Sequence, residues 1–307
     1  MQQFIKLKEK RDIGENITVY FEFFKQNLKN FVNIFIRYNG LFLIGFLGVS
    51  YLMVTGFMGS MSSTGLIGDS VDNTNNELYI GLGIVGMIFL FFITAILNYS
   101  LAASYAINYE KEPTKEVDKK AVWGLIVNRL GPVILFVFLA VIMFIVVFIA
   151  GIILSFIPLL GTFAYYALQI SFVTWMGLSF MAMLYEDRDV LDAFGEGWKL
   201  LFNFFWKSVL VNLVVGILIS ILMLAIYIIP GILVGIYIFH STQTGVDLEQ
   251  SAVAKIIFTI AGAIFLIVAC FNQSMSQLVN SVLYFSIHEE TYNQEARKRI
   301  EEIGAGE

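Results

Sequence analysis

The chain is short of charge. Asp, Glu, Lys and Arg make up 14% of its 307 residues, against about 25% in soluble globular domains. It has a single cysteine, Cys270, set in an apolar run, so no intrachain disulfide and no cysteine metal cluster can form. There are two histidines, His240 and His288, at opposite ends of the apolar region, and neither an H-E-x-x-H motif nor a cysteine pair. The net charge of −5 excludes a basic nucleic-acid surface. The opening "MQQFIKLKEKRDIGENI" has no apolar core of signal-peptide length and no small-residue cleavage site, so we expect an uncleaved, cytoplasmic N-terminus.

What the chain has in quantity is apolar surface. Hydrophobic residues are 58% of the total and the mean hydropathy is +0.78. A soluble domain of this length could not hide so much, so the solvent is lipid. Fourteen Tyr, twenty-nine Phe and four Trp supply the rings expected of membrane-interface belts. A bilayer core of about 30 Å needs about 20 apolar helical residues. Six runs meet that length, at roughly 40–61, 78–108, 132–157, 163–184, 208–239 and 252–286. "VILFVFLAVIMFIVVFIAGIILSFI" does not alternate as a barrel strand would, so the spans are helices. The expected fold is all-α and polytopic, with cytoplasmic segments at 1–38 and 288–307 flanking a membrane domain over 39–287.

The charges are one-sided. Of the nineteen Lys and Arg, seven precede the first span, five lie between spans two and three, three between spans four and five, and three follow span six. Only Lys255 falls on the other side, where "SSTGLIGDSVDNTNNE" and "STQTGVDLEQ" hold five acids. By the positive-inside rule both termini are cytoplasmic, and we expect a multi-pass protein of a bacterial inner membrane.

The connection "YEDRDVLDAFGEGWKLLFNFFWK" is too aromatic for a surface loop and too charged to span. On a helical wheel Leu191, Phe194, Trp198, Leu201 and Phe205 share one side, and Asp192, Glu196, Lys199, Asn203 and Lys207 the other. This predicts an interfacial amphipathic helix over about 189–207, rings among the acyl chains and charges toward the cytosol. Gly195 and Gly197 each weaken it by about 1 kcal/mol, so it bends or packs closely there. "NITVYFEFFKQNLKNFVNIFIRY" has the same design, with Ile17, Phe21, Phe24, Leu28, Phe31 and Phe35 opposite Glu22, Lys25, Lys29 and Asn33. A shorter version covers about 115–130. Spans two and four both end in Tyr-Glu, at Tyr109-Glu110 and Tyr185-Glu186, and span six in His288-Glu289. We read three copies of one unit: elbow helix, span, outer turn, span. Same-handed hairpins are not the inverted halves common in secondary transporters.

Ala193, Gly197, Trp198, Leu201, Phe205 and Trp206 in the elbow, and the close "SVLYFSIHEETYNQEARKRIEEIG", carry a family resemblance. The chain resembles bacterial polytopic proteins related to the membrane domain of glycerophosphodiester phosphodiesterases, with Gly197 where that set more often has Ser. The phosphodiesterase domain itself has no counterpart. The resemblance implies a fold and a membrane location, not an activity.

Catalytic motifs are wanting. "GLGIVG" at 81–86 fits G-x-G-x-x-G but lies inside a span, and close helix packing explains its glycines better than a nucleotide. His288-Glu289-Glu290 reads as a hydrated helix end, and no serine sits in a nucleophile elbow. The spans hold no Asp or Glu deep in the core, which removes the usual carrier of proton coupling. We expect neither cofactor nor metal.

Span six does carry a polar stripe. Asn272, Ser276 and Asn280 step by four, as do Gln273, Gln277 and Ser281, and span two has a thinner counterpart in Asn98, Tyr105 and Asn108. Such residues form interhelical hydrogen bonds or line a groove open to the cytosol. The leading expectation is a non-enzymatic membrane subunit or scaffold that docks through Asp192, Glu196, Lys199, Asn203 and Lys207. Its partners would be the bilayer and other membrane proteins or a second copy. The alternative is lipid or small-solute transport through a groove between spans two and six.

Overall fold

A computed structural model describes residues 4–63, 74–112, 116–245, 248 and 251–293. The described residues form eight helices: α1 (Ile13–Ser63), α2 (Thr74–Lys111), α3 (Lys119–Asn128), α4 (Leu130–Ser155), α5 (Leu160–Tyr185), α6 (Val190–Asn203), α7 (Phe205–Thr244) and α8 (Ala252–Tyr292). Six of them, α1, α2, α4, α5, α7 and α8, are long and apolar enough to cross a membrane. The chain is therefore an all-α, multi-pass membrane protein. In lipid this is the arrangement that satisfies backbone groups within each segment.

All six expected spans are present. Their helices extend past the predicted ends except at the close of α4, which stops at Ser155, and at the start of α8; the longest is α1, whose 51 residues are more than double what a bilayer needs. The first amphipathic stretch is part of α1 and not a separate elbow, because nothing between Tyr38 and Gly40 interrupts its helix. A reciprocal capping box starts it: the Asp12 N–H donates to Glu15 Oε2 at 2.8 Å, and the Glu15 N–H to Asp12 Oδ1 at 2.8 Å. The other two elbows are distinct helices, α3 and α6, shorter than predicted. Asp118 caps α3 by accepting from the Lys120 N–H at 3.2 Å. Phe204, at φ −130° and ψ 43°, breaks the helix between α6 and α7. The expected helix over 288–307 is described only to Tyr292. There Asn293 adopts φ 48° and its N–H donates to Glu289 O at 2.8 Å, a left-handed close that Asn tolerates. Residues 294–307 lie outside the described residues.

The chain divides into two compact units: residues 1–34, 98–218 and 274–307, and residues 35–97 and 219–273. Among the described residues every Lys and Arg except Arg37 and Lys255 belongs to the first unit. The second unit is centred on Phe35, Phe46, Val49, Leu266 and Cys270, from α1 and α8, with Met87, Leu90 and Phe91 of α2 packed against them. In it Gly83 and Gly86 of "GLGIVG" face α1: a Cβ at Gly83 would meet Met53 Cγ at 2.6 Å, and one at Gly86 would meet Val49 at 3.0 Å. Close helix approach accounts for these two; the Gly81 position is open.

In the first unit α6 is held against α5 by rings. Phe194 stacks on Phe136 of α4 at 4.6 Å between centroids, and Trp175 of α5 donates its indole N–H to Phe194 O at 2.9 Å. Gly197 lets the two backbones meet, since a Cβ there would lie 2.6 Å from Ser179 N and 2.8 Å from Ser179 Cα. Gly195, two residues away, faces open space.

Candidate functional site

The α6 helix departs from its wheel at Glu196, which turns into the protein. Val190, Ala193, Phe194, Glu196, Gly197, Leu200 and Leu201 are buried. Of the side expected among acyl chains, Leu191 is 74% exposed and Trp198 49%, whereas Phe194 and Leu201 are buried in the protein. Glu196, expected to face the cytosol, is only 6% exposed. The reason is a polar partner for it inside the protein. Tyr292 Oη donates to Glu196 Oε1 at 2.6 Å, and Arg188 Nη2 lies 3.4 Å from Glu196 Oε2. Lys207 also turns inward, where it contacts Glu290 Oε2 at 2.8 Å and Ser286 Oγ at 3.4 Å. Of the five docking residues, Asp192, Lys199 and Asn203 remain exposed. Lys199 Nζ donates to Tyr292 Oη at 2.7 Å and sits over that ring.

These contacts belong to a larger network that joins the end of α5, the α5–α6 turn, α6 and the end of α8. At its centre is Glu186. One carboxylate oxygen accepts from Tyr284 Oη and lies 3.1 Å from His288 Nε2. The other accepts from Arg188 Nε at 2.6 Å and lies 2.6 Å from Arg188 Nη2. Tyr284, His288 and Tyr292 follow one another at four-residue steps on α8, so their rings form one column. Tyr284 stacks on His288 at 5.3 Å, and His288 meets Tyr292 at 4.7 Å. Tyr185 closes the column from α5, its ring 5.1 Å from Phe285 and 5.0 Å below Lys8 Nζ. His288 is therefore not a hydrated helix end: it is 1% exposed, between two tyrosines and a carboxylate.

Burial by itself would raise the pKa of Glu186. The hydrogen bonds from His288, Tyr284 and Arg188 outweigh it and hold the carboxyl at about 2. A carboxylate so stabilised is a weak base at neutral pH. Burial lowers that of Arg188, but contact with Glu186 and Glu196 more than restores it. Asp187, between them, adopts φ 60°, a conformation Asp tolerates better than most side chains, and its carboxylate pairs with Arg129. Arg129 Nη2 also donates to Met183 O at 3.1 Å, which ties the start of α4 to the end of α5.

The other Tyr-Glu pair has a matching use. Tyr109 Oη accepts from the Ile5 N–H at 3.0 Å, and Glu110 Oε2 from the Leu7 N–H at 3.0 Å. The segment ahead of α1 is thereby fixed to the end of α2. Lys10 then reaches Glu290 Oε1 at 3.0 Å.

The expected polar stripe is distributed among several helices. Tyr105 Oη donates to Asn27 Oδ1 of α1 at 3.1 Å, and Asn108 Nδ2 to Ser104 O of its own helix at 2.8 Å. Gln277 Nε2 donates to Gly177 O of α5 at 3.3 Å, and the Asn280 amide lies where a Cβ at Gly177 would fall. Asn280 Nδ2 donates to Ser276 O at 3.3 Å, and Ser276 hydrogen-bonds Tyr99. Asn98 is fully buried. In the second unit Gln273 Nε2 donates to Phe91 O of α2 at 3.4 Å, and Asn272 is exposed. Gln277 Oε1 and Asn280 Oδ1 are buried without a hydrogen-bond partner among the described residues.

Sequence reasoning missed the Glu186 network. Its signal was the Tyr284, His288, Tyr292 spacing, which puts three hydrogen-bonding rings on one helix face beside the polar stripe. Comparison with models of known protein families, with curated proteins and with solved structures yields no match.

Proposed function

We propose that the protein is a non-enzymatic subunit or scaffold of an inner-membrane complex, docking its partner on the exposed side of α6 at a cytoplasmic end. One observation carries this reading. The strongest ionic groups of that end are spent on internal contacts that fix α5, α6 and α8 together, while Asp192, Lys199 and Asn203 stay exposed beside Trp198 and Phe202. A prearranged surface binds without an ordering cost, which suits a docking platform. The polar residues within the spans support it too, since Tyr105, Gln273 and Gln277 each bond to a neighbouring helix. The positive-inside rule supplies the orientation.

The test is gentle detergent extraction of the tagged protein from its own membranes, with mass spectrometry of what accompanies it and a second six-span protein as control. A stoichiometric partner is expected, lost from an Asp192→Lys, Asn203→Glu variant that keeps its helical content and unfolding temperature. A solitary wild-type protein would overturn the scaffold reading and favour transport of lipid or a small solute.

A further inference from the structure

Lys255 is the one Lys or Arg that the sequence places opposite the basic connections, and the docking reading makes no use of it. It stands in the first turn of α8, inside the second unit. Here α8 crosses α1 at close range. Ser50 Oγ donates to Thr259 O at 2.8 Å, and a Cβ at Gly262 would lie 2.5 Å from that same Ser50 Oγ. Beside this crossing lies an open groove of about 560 Å³. Its walls are Ile44, Leu47 and Tyr51 of α1 and Ile256 and Ile260 of α8; Gly48 forms part of its floor, with nothing within 4 Å of where a Cβ would stand.

Two polar residues interrupt the apolar lining from α8, and they are one helical turn apart. Lys255 is half-buried at the groove, and Thr259 is four positions on, about 6 Å along the axis. Thr259 is 8% exposed and its hydroxyl has no hydrogen-bond partner among the described residues. An unpaired buried hydroxyl in an apolar setting is costly unless something else meets it. The sequence of features along the groove, a cation, then a hydroxyl, then branched aliphatic walls, parallels the order of phosphate, ester and acyl chain in a glycerophospholipid.

We propose that this groove binds one anionic glycerophospholipid, its phosphate at Lys255, an ester oxygen at Thr259 and an acyl chain between Leu47, Ile256 and Ile260. A lone cation at the head of an apolar slot complements a headgroup of net negative charge. A zwitterionic headgroup brings its own cation and gains less. Lipid held there would pack α1 to α8 at the crossing and meet the Thr259 hydroxyl.

The full-length protein, purified in mild detergent and delipidated, is titrated with phosphatidylglycerol or phosphatidylcholine and examined by native mass spectrometry. One tightly retained phosphatidylglycerol is expected, in preference to phosphatidylcholine. Lys255→Gln should reduce its retention about fivefold, as expected for one lysine near an anionic lipid surface, and Lys255→Arg should preserve it. Thr259→Val should weaken retention of both lipids, and Gly48→Leu, which projects into open space, should abolish it with unchanged helical content. Equal retention of the two lipids by the wild type, or undiminished phosphatidylglycerol in Lys255→Gln and Gly48→Leu, would overturn the proposal.

Discussion

Glu186 shows how one side chain can fix the end of a helical membrane protein. It is the first residue past α5, yet it takes hydrogen bonds from Tyr284 and Arg188 and lies 3.1 Å from His288. Its carboxyl is held at about 2 against an ordinary value of 4.5. A lowered folded-state value means that the charged form stabilises the fold. That stabilisation is complete above about pH 4.5 and disappears as pH falls from there toward 2. Glu186→Gln should therefore lower stability by about 1–3 kcal/mol at pH 7. In unfolding temperatures measured from pH 7 to pH 3, the gap between this variant and the wild type should narrow toward the acid end. A constant gap would assign the effect to packing. Tyr284→Phe removes one charge-assisted donor and should cost about 1.5–3 kcal/mol at neutral pH.

At the scale of elements, the paired glycines of α6 give a clean contrast. Gly197 is pressed against the Ser179 backbone, whereas a Cβ at Gly195 meets nothing within 4 Å. Gly197→Ala should destabilise by about 1–3 kcal/mol through overpacking. Gly195→Ala should stabilise by about 0.5–1 kcal/mol through helix propensity. Thermal or denaturant unfolding of both variants checks the pair, and equal effects would contradict the close α5–α6 contact. The same helix shows how far the sequence was legible. Period and length revealed α6 and the six spans, because apolar pattern decides these, but not the break at Phe204, since the elbow was expected to run on to 207. The wheel misplaced Glu196 and Lys207, because it scores every charged side chain as outward. Which face a helix covers is settled by its neighbours: Glu196 turns in because Tyr292 and Arg188 are there to meet it. His288 was misread for the same reason, as its neighbours in sequence are acids while its neighbours in space are rings.

For the whole molecule, the one-sided charge pattern predicts an orientation. In a Cys270→Ala background, cysteine introduced at Asp192 should react with an impermeant maleimide only after the cells are opened. Cysteine at exposed Val253 should react from outside, and the reverse pattern would invert the topology. The central claim is that the α6 face is a fixed platform, held from behind by the Glu186 network and not by its own exposed charges. Hydrogen exchange in the reconstituted protein tests this most directly, comparing amides 282–292 and 190–203 in the wild type, Glu186→Gln, and Asp192→Lys with Asn203→Glu. The account predicts slow exchange of both segments in the wild type and the surface double variant, and faster exchange in Glu186→Gln. Equal exchange in all three, or opening by the surface variant alone, would contradict it.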